Sequence, residues 1–114
     1  MHMQEVDQGN EQVSSSAMGF KGFLYGKVGL TKEARSILSY LNEVNKRSYV
    51  PPAAFAYVYI GLGEYDEALD WLEKAYEERD VSIVWIKANK WMFDYISAEP
   101  RFQSLLDDMN FPDF

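Results

Sequence analysis

The sequence predicts an all-α fold, a helix-turn-helix solenoid of two stacked hairpins closed by two or three C-terminal helical segments. Three observations carry that expectation. The chain repeats itself at a spacing of 34 residues, its apolar residues recur at helical spacing, and Gly29, Gly63, Pro51-Pro52 and Pro100 punctuate the periodic stretches. A shift of 34 places Gly22 on Ala56, Tyr25 on Tyr59, Gly29 on Gly63, Ala34 on Ala68 and Leu38 on Leu72. Between these anchors Phe23 falls on Tyr57, Val28 on Leu62 and Ile37 on Trp71. Sizes agree where packing requires it and charges differ where solvent tolerates it. A fixed period of this length marks stacked units, none of which buries its apolar face alone.

Each element follows from local chemistry. Residues 1–16 are rich in Gln, Ser, Asn and Asp and hold no aromatic, so they read as a disordered lead or linker. Met1-His2 ahead of a second Met reads as a cloning remnant, and the 16 residues lack the apolar run of a signal peptide. A first apolar helix is expected over 17–28, ending at Gly29. Thr31 opens a second, over 31–46, with Ala34, Ile37, Leu38, Leu41 and Val44 as its buried stripe. Pro51 and Pro52 suit the first turn of a third helix, 52–62, because an N–H missing there costs nothing. The fourth, 65–79, turns Ala68, Leu69, Leu72, Ala75 and Tyr76 inward and Asp66, Glu67, Asp70, Glu73 and Glu77 outward. Asp80 is expected to cap a short helix over 81–88. The segment 91–96 reads as about one helical turn, and Pro100 starts a last helix to Met109 with Phe102, Leu105, Leu106 and Met109 inward. The domain is thus a lead (1–16), a first repeat (17–48), a second (49–80) and a cap (81–114).

The anchors Gly22/Ala56, Tyr25/Tyr59, Gly29/Gly63 and Ala34/Ala68 resemble those of a tetratricopeptide repeat array, over about residues 17–80. The second copy, AFAYVYIGLGEYDEALDWLEKAYEERD, carries the resemblance best, and the motif's closing Pro is replaced by Lys46 and Asp80. The resemblance implies that the helix-turn-helix solenoid is right-handed and that these small residues and aromatics pack the repeats. It also implies that the first helix of each pair lines a concave groove, with Phe23, Lys27, Ala53, Tyr57 and Ile60 as groove candidates. The positions where some members clamp a chaperone's C-terminal carboxylate read Gly19, Phe23 and Ala54, which implies no such clamp. The stretch AEPRFQSLLDDM resembles the tail that follows such repeats in bacterial multi-domain signalling and transcription proteins.

The residues themselves leave two accounts of that groove. The third helix is apolar all round: Phe55, Ala56, Tyr59 and Leu62 form one stripe, and Ala53, Tyr57 and Ile60 another. Such a helix is normally buried all round. Either a partner covers the second stripe, which suits an amphipathic helix or apolar peptide, or the last helices fold back over Tyr57 and Ile60.

Composition excludes much else. At 114 residues, 47% apolar and without cysteine, the chain is one domain with no disulfide or thiolate metal site, which fits a reducing, cytoplasmic setting. A net charge of −7 argues against nucleic acid. The longest uncharged stretch, Ser48–Gly63, is 16 residues, too short to span a bilayer. The only imidazole is His2, so no His-based nucleophile, cofactor or metal site is expected. Gly22 to Lys27 superficially resembles a phosphate loop, but the glycine spacing is short and Val28 stands where Ser or Thr belongs. Acid pairs such as Asp66/Asp70 read as a solvated face. Trp85 and Trp91 beside Lys87 and Lys90 read as core with snorkelling lysines or as a recognition patch.

The expected function is protein–protein interaction without catalysis. The alternative is self-association as a homodimer within a larger protein. Two repeats fall short of the usual three or so. The ends are also oppositely charged: residues 20–48 hold six Lys or Arg against two Glu (+4), and 62–80 hold eight Asp or Glu against two Lys or Arg (−6).

Overall fold

Every regular element of the computed structural model, which describes residues 11–80 and 90–109, is helical. The elements are α1 (Glu11–Lys27), α2 (Thr31–Asn45), α3 (Pro52–Leu62), α4 (Tyr65–Glu77), α5 (Lys90–Phe93) running into a 3₁₀ turn (Asp94–Ile96), and α6 (Pro100–Asp108). The first ten residues, the expected helix over 81–88, and Trp85 and Lys87 lie outside the described residues.

The boundaries of α2, α3, α4 and α6 fall within two residues of those read from the sequence. α1 starts earlier, at Glu11 rather than Ala17. Residues 11–16 contain neither Gly nor Pro, so nothing in them breaks a helix once the apolar turns that follow have nucleated it.

The 34-residue repeat is written into the backbone. Gly29 and Gly63 end α1 and α3 with φ of 88° and 79°, the left-handed conformation that only glycine adopts without strain. The Leu30 N–H donates to the Tyr25 carbonyl (2.9 Å) and the Glu64 N–H to the Tyr59 carbonyl (3.0 Å). The next helix starts identically in each hairpin, with Ala34 N–H donating to the Leu30 carbonyl and Ala68 N–H to that of Glu64.

α1 and α3 run in the same direction and meet along small residues: Gly19 on Ala54, Gly22 on Val58, Gly26 on Gly61. A Cβ added at Gly19 would lie 2.5 Å from the Ala54 carbonyl oxygen, and one at Gly22 would lie 2.7 Å from Val58 Cγ2. At Gly26 and Gly61 it would strike the opposite backbone. These contacts explain the glycines of the Gly22–Lys27 segment, which is helix and not a phosphate loop.

Two apolar clusters flank α3. One joins its Ala54, Phe55 and Val58 to Ala34, Ile37, Leu38, Leu41 and Val44 of α2, with Trp71 stacked on Phe55 at 4.2 Å between ring centroids. The other joins its Ala53, Ala56, Tyr57 and Ile60 to Phe23 of α1, to Ala68, Leu69 and Leu72 of α4, and to the C-terminal segments. Tyr25 packs against the first cluster and Tyr59 against both. Tyr76, expected inward, is exposed; its hydroxyl instead donates to the Asp108 carbonyl (3.0 Å), tying α4 to the end of α6.

Candidate functional site: a covered apolar face

The two hairpins bring Phe23, Ala53, Tyr57 and Ile60 together on one wall, as the groove reading requires, but the wall is not open. All four are buried in one cluster with Met92, Phe93, Ile96, Phe102, Leu105 and Leu106. Of the two accounts left open by the residues, the arrangement is the second, in which the C-terminal segments cover Tyr57 and Ile60. α3 is apolar on every side, two hairpins cover only part of it, and the chain's own tail supplies the remaining surface. Six buried side chains from the tail contribute on the order of 10 kcal/mol of gross transfer free energy, before the entropy of ordering the segment. No comparable return comes from leaving the wall wet.

The packing is aromatic in character. Phe93 meets the Tyr57 ring edge-on at 6.1 Å and stacks on Phe102 at 6.1 Å. Trp91 lies edge-on to Phe23 (5.5 Å) and to Phe20 (5.8 Å) while remaining about half exposed. Lys27, the fifth groove candidate, is half-buried. Its ammonium sits 3.8 Å from the Tyr95 ring centroid, and burial lowers its pKa from the usual lysine value.

Two polar devices set the tail and the wall. Arg101 of α6 donates from Nε and Nη2 to the Glu73 carboxylate (3.1 and 2.9 Å) and from Nη2 to Asp70 (2.6 Å), a forked grip on α4. Asp80 is buried, and its carboxylate accepts the Ala53 N–H (3.1 Å) in the first turn of α3. Pro51, the residue before that helix, offers no side-chain oxygen, so a carboxylate 27 residues away does the capping. The sequence reading assigned Asp80 to a helix over 81–88 and missed this role. The signal was present: an acid stands where the repeat motif closes, and an uncapped Pro-Pro helix start lies at the other end of the same hairpin.

Burial, and secondarily the negative charge of Asp80, pushes the Tyr57 hydroxyl up to about 12. An open cleft of about 450 Å³ lies between α4 and α6. Among the described residues no group of three or more His, Asp or Glu could hold a metal ion, and no helix is long and apolar enough to cross a membrane. No family model, curated protein or solved structure matches the chain.

Proposed function

We propose that the chain is a non-catalytic protein–protein interaction module of the tetratricopeptide-repeat type, whose concave wall receives an apolar amphipathic helix. One observation carries the reading: Phe23, Ala53, Tyr57 and Ile60 are buried in one apolar cluster with side chains of the chain's own α5 and α6, Phe93 meeting Tyr57 directly. Phe102 of α6 lies one helical turn from Leu105 and Leu106, and the three share that cluster, Phe102 stacked on Phe93. A partner helix carrying the same stripe would compete with a tail whose effective concentration is in the millimolar range.

A fluorescently labelled peptide of residues 90–109 tests this. Phe102→Ala weakens the tail's own hold by about 3–5 kcal/mol. The variant should then capture the peptide at least about a hundredfold more tightly than the intact chain does, which corresponds to about 2.8 kcal/mol. A variant that keeps its helical circular dichroism yet binds the peptide no better than the intact chain defeats the receptor reading.

A further inference from the structure

The paired turns at Gly29 and Gly63 relate every position of the first hairpin to one in the second. On α3, the positions that meet the first hairpin are Ala54, Val58 and Gly61. Their counterparts 34 residues earlier are Phe20, Leu24 and Lys27 of α1, and Leu62 has Val28. Val58 is 0% exposed, wedged against Gly22 and Ile37. Leu24 is 46% exposed and Val28 71%. α1 thus carries the apolar edge by which α3 docks onto its neighbour, and among the described residues no hairpin lies against it. Phe20 is drawn onto Trp91 and Lys27 onto Tyr95. Leu24 and Val28 are left as an uncovered apolar pair beside Lys21. An end repeat that closes a stack presents a polar outer face instead.

Charge selects what covers that edge. Residues 20–48 total +4 and 62–80 total −6, with Arg35 of the first segment paired to Glu64 of the second within one molecule. The cleft between α4 and α6 carries Glu73, Glu77 and Asp108 against the single cation Arg101, beside Tyr76, which is 38% exposed. Edge-to-edge pairing of two α1 helices would set Lys21 against its own copy. Seating the α1 edge on the α4–α6 end of another molecule instead places apolar Leu24 and Val28 against Tyr76, and lysine against carboxylates. We infer that this chain associates with second copies of itself head to tail, the Leu24–Val28 edge of one docking on the Tyr76–Glu77–Asp108 end of the next. The inference rests on the reading of the fold as a repeat stack and is independent of whether the concave wall accepts a partner helix. Such a contact uses two different surfaces, so it does not close at a dimer and grows with concentration.

The test is solution mass by sedimentation or light scattering over about a hundredfold concentration range, since mass action drives the assembly. The chain should grow past two copies, and growth should fall between about 0.1 M and about 1 M salt, as the screening length drops from about 10 Å to about 3 Å. Leu24→Asp with Val28→Asp, and separately Glu77→Lys with Asp108→Lys, should each give a monomer with unchanged unfolding midpoint, because all four side chains are exposed. Mixing the two variants should restore a species of two chains and no larger, since each retains one intact edge. A wild-type monomer at every concentration overturns the proposal. So does assembly blocked by the α1 changes but not by the charge reversal, which would mean edge-to-edge pairing. The labelled-peptide experiment reads a different surface, so failure of one proposal leaves the other standing.

Discussion

The two hairpins share a turn chemistry and a 34-residue register, yet their first helices live in opposite surroundings. α3 is buried on nearly every side, between α1, α2, α4 and the tail. α1 is built to the same pattern but leaves Leu24 and Val28 in solvent. Between two hairpins of like pattern, position among the packed helices, not composition, decides what an apolar residue is worth. Val58 and Leu24 are the same site of the same unit; only one has a neighbour on both sides.

The sharpest way to break that comparison is one substitution made at both sites. Val58→Asp places an unpaired carboxylate between Gly22 and Ile37 and should cost about 4–5 kcal/mol or more, enough to unfold a domain of this size. Leu24→Asp should stay within about 0.5 kcal/mol. Urea unfolding followed by circular dichroism decides it; equal losses would mean that the two hairpins are not related as the turns imply.

A second contrast is set by Tyr57 and its counterpart Phe23. The buried phenol is neutral, and its folded pKa of about 12 lies above the ordinary value of about 10. Its contribution is therefore complete below about pH 10 and is lost as pH rises towards 12, on the order of 2–3 kcal/mol over the interval. Tyr57→Phe should flatten that alkaline limb. Tyrosinate absorbance during titration should show one phenol ionising last, and its absence from the variant confirms the assignment; an unchanged pH profile would place the limb elsewhere.

The smallest effect concerns how the hairpins end. Asp80→Ala removes the acceptor for the Ala53 N–H and should cost about 1–2 kcal/mol. Its counterpart Lys46 pairs only with Glu43 at the surface among the described residues, so Lys46→Ala should change stability by less than about 0.5 kcal/mol. Thermal unfolding of the two single variants makes the comparison, and equal shifts would remove Asp80 from its capping role.

How much of this was legible in the chain follows from the same contrast. Periodicity and Gly or Pro punctuation depend on neighbours in sequence, so α2, α3, α4 and α6 could be read nearly to the residue. Gly29 and Gly63 announced their turns because glycine takes a left-handed φ at the least cost. What covers an apolar stripe depends on residues far away in sequence. The stripe of Ala53, Tyr57 and Ile60 was recognisable as apolar, but a partner helix and the chain's own Phe93, Phe102 and Leu105 satisfy it equally well on paper. Asp80 escaped for the same reason, its partner being 27 residues upstream. Tyr76 was misplaced because it follows Leu72 at helical spacing, yet its hydroxyl found a better position at the rim beside Asp108.

The Asp80–Ala53 bond has a topological meaning as well. It joins the last residue before the tail segment to the first turn of the helix that opens the second hairpin, turning an open zigzag into a ring already folded once at Gly63. Movement of residue 80 takes the acceptor from Ala53, and fraying of the first turn of α3 takes the donor from Asp80. The second hairpin is thus closed at its base, and the chain leaves it from a residue bonded to the first turn of α3.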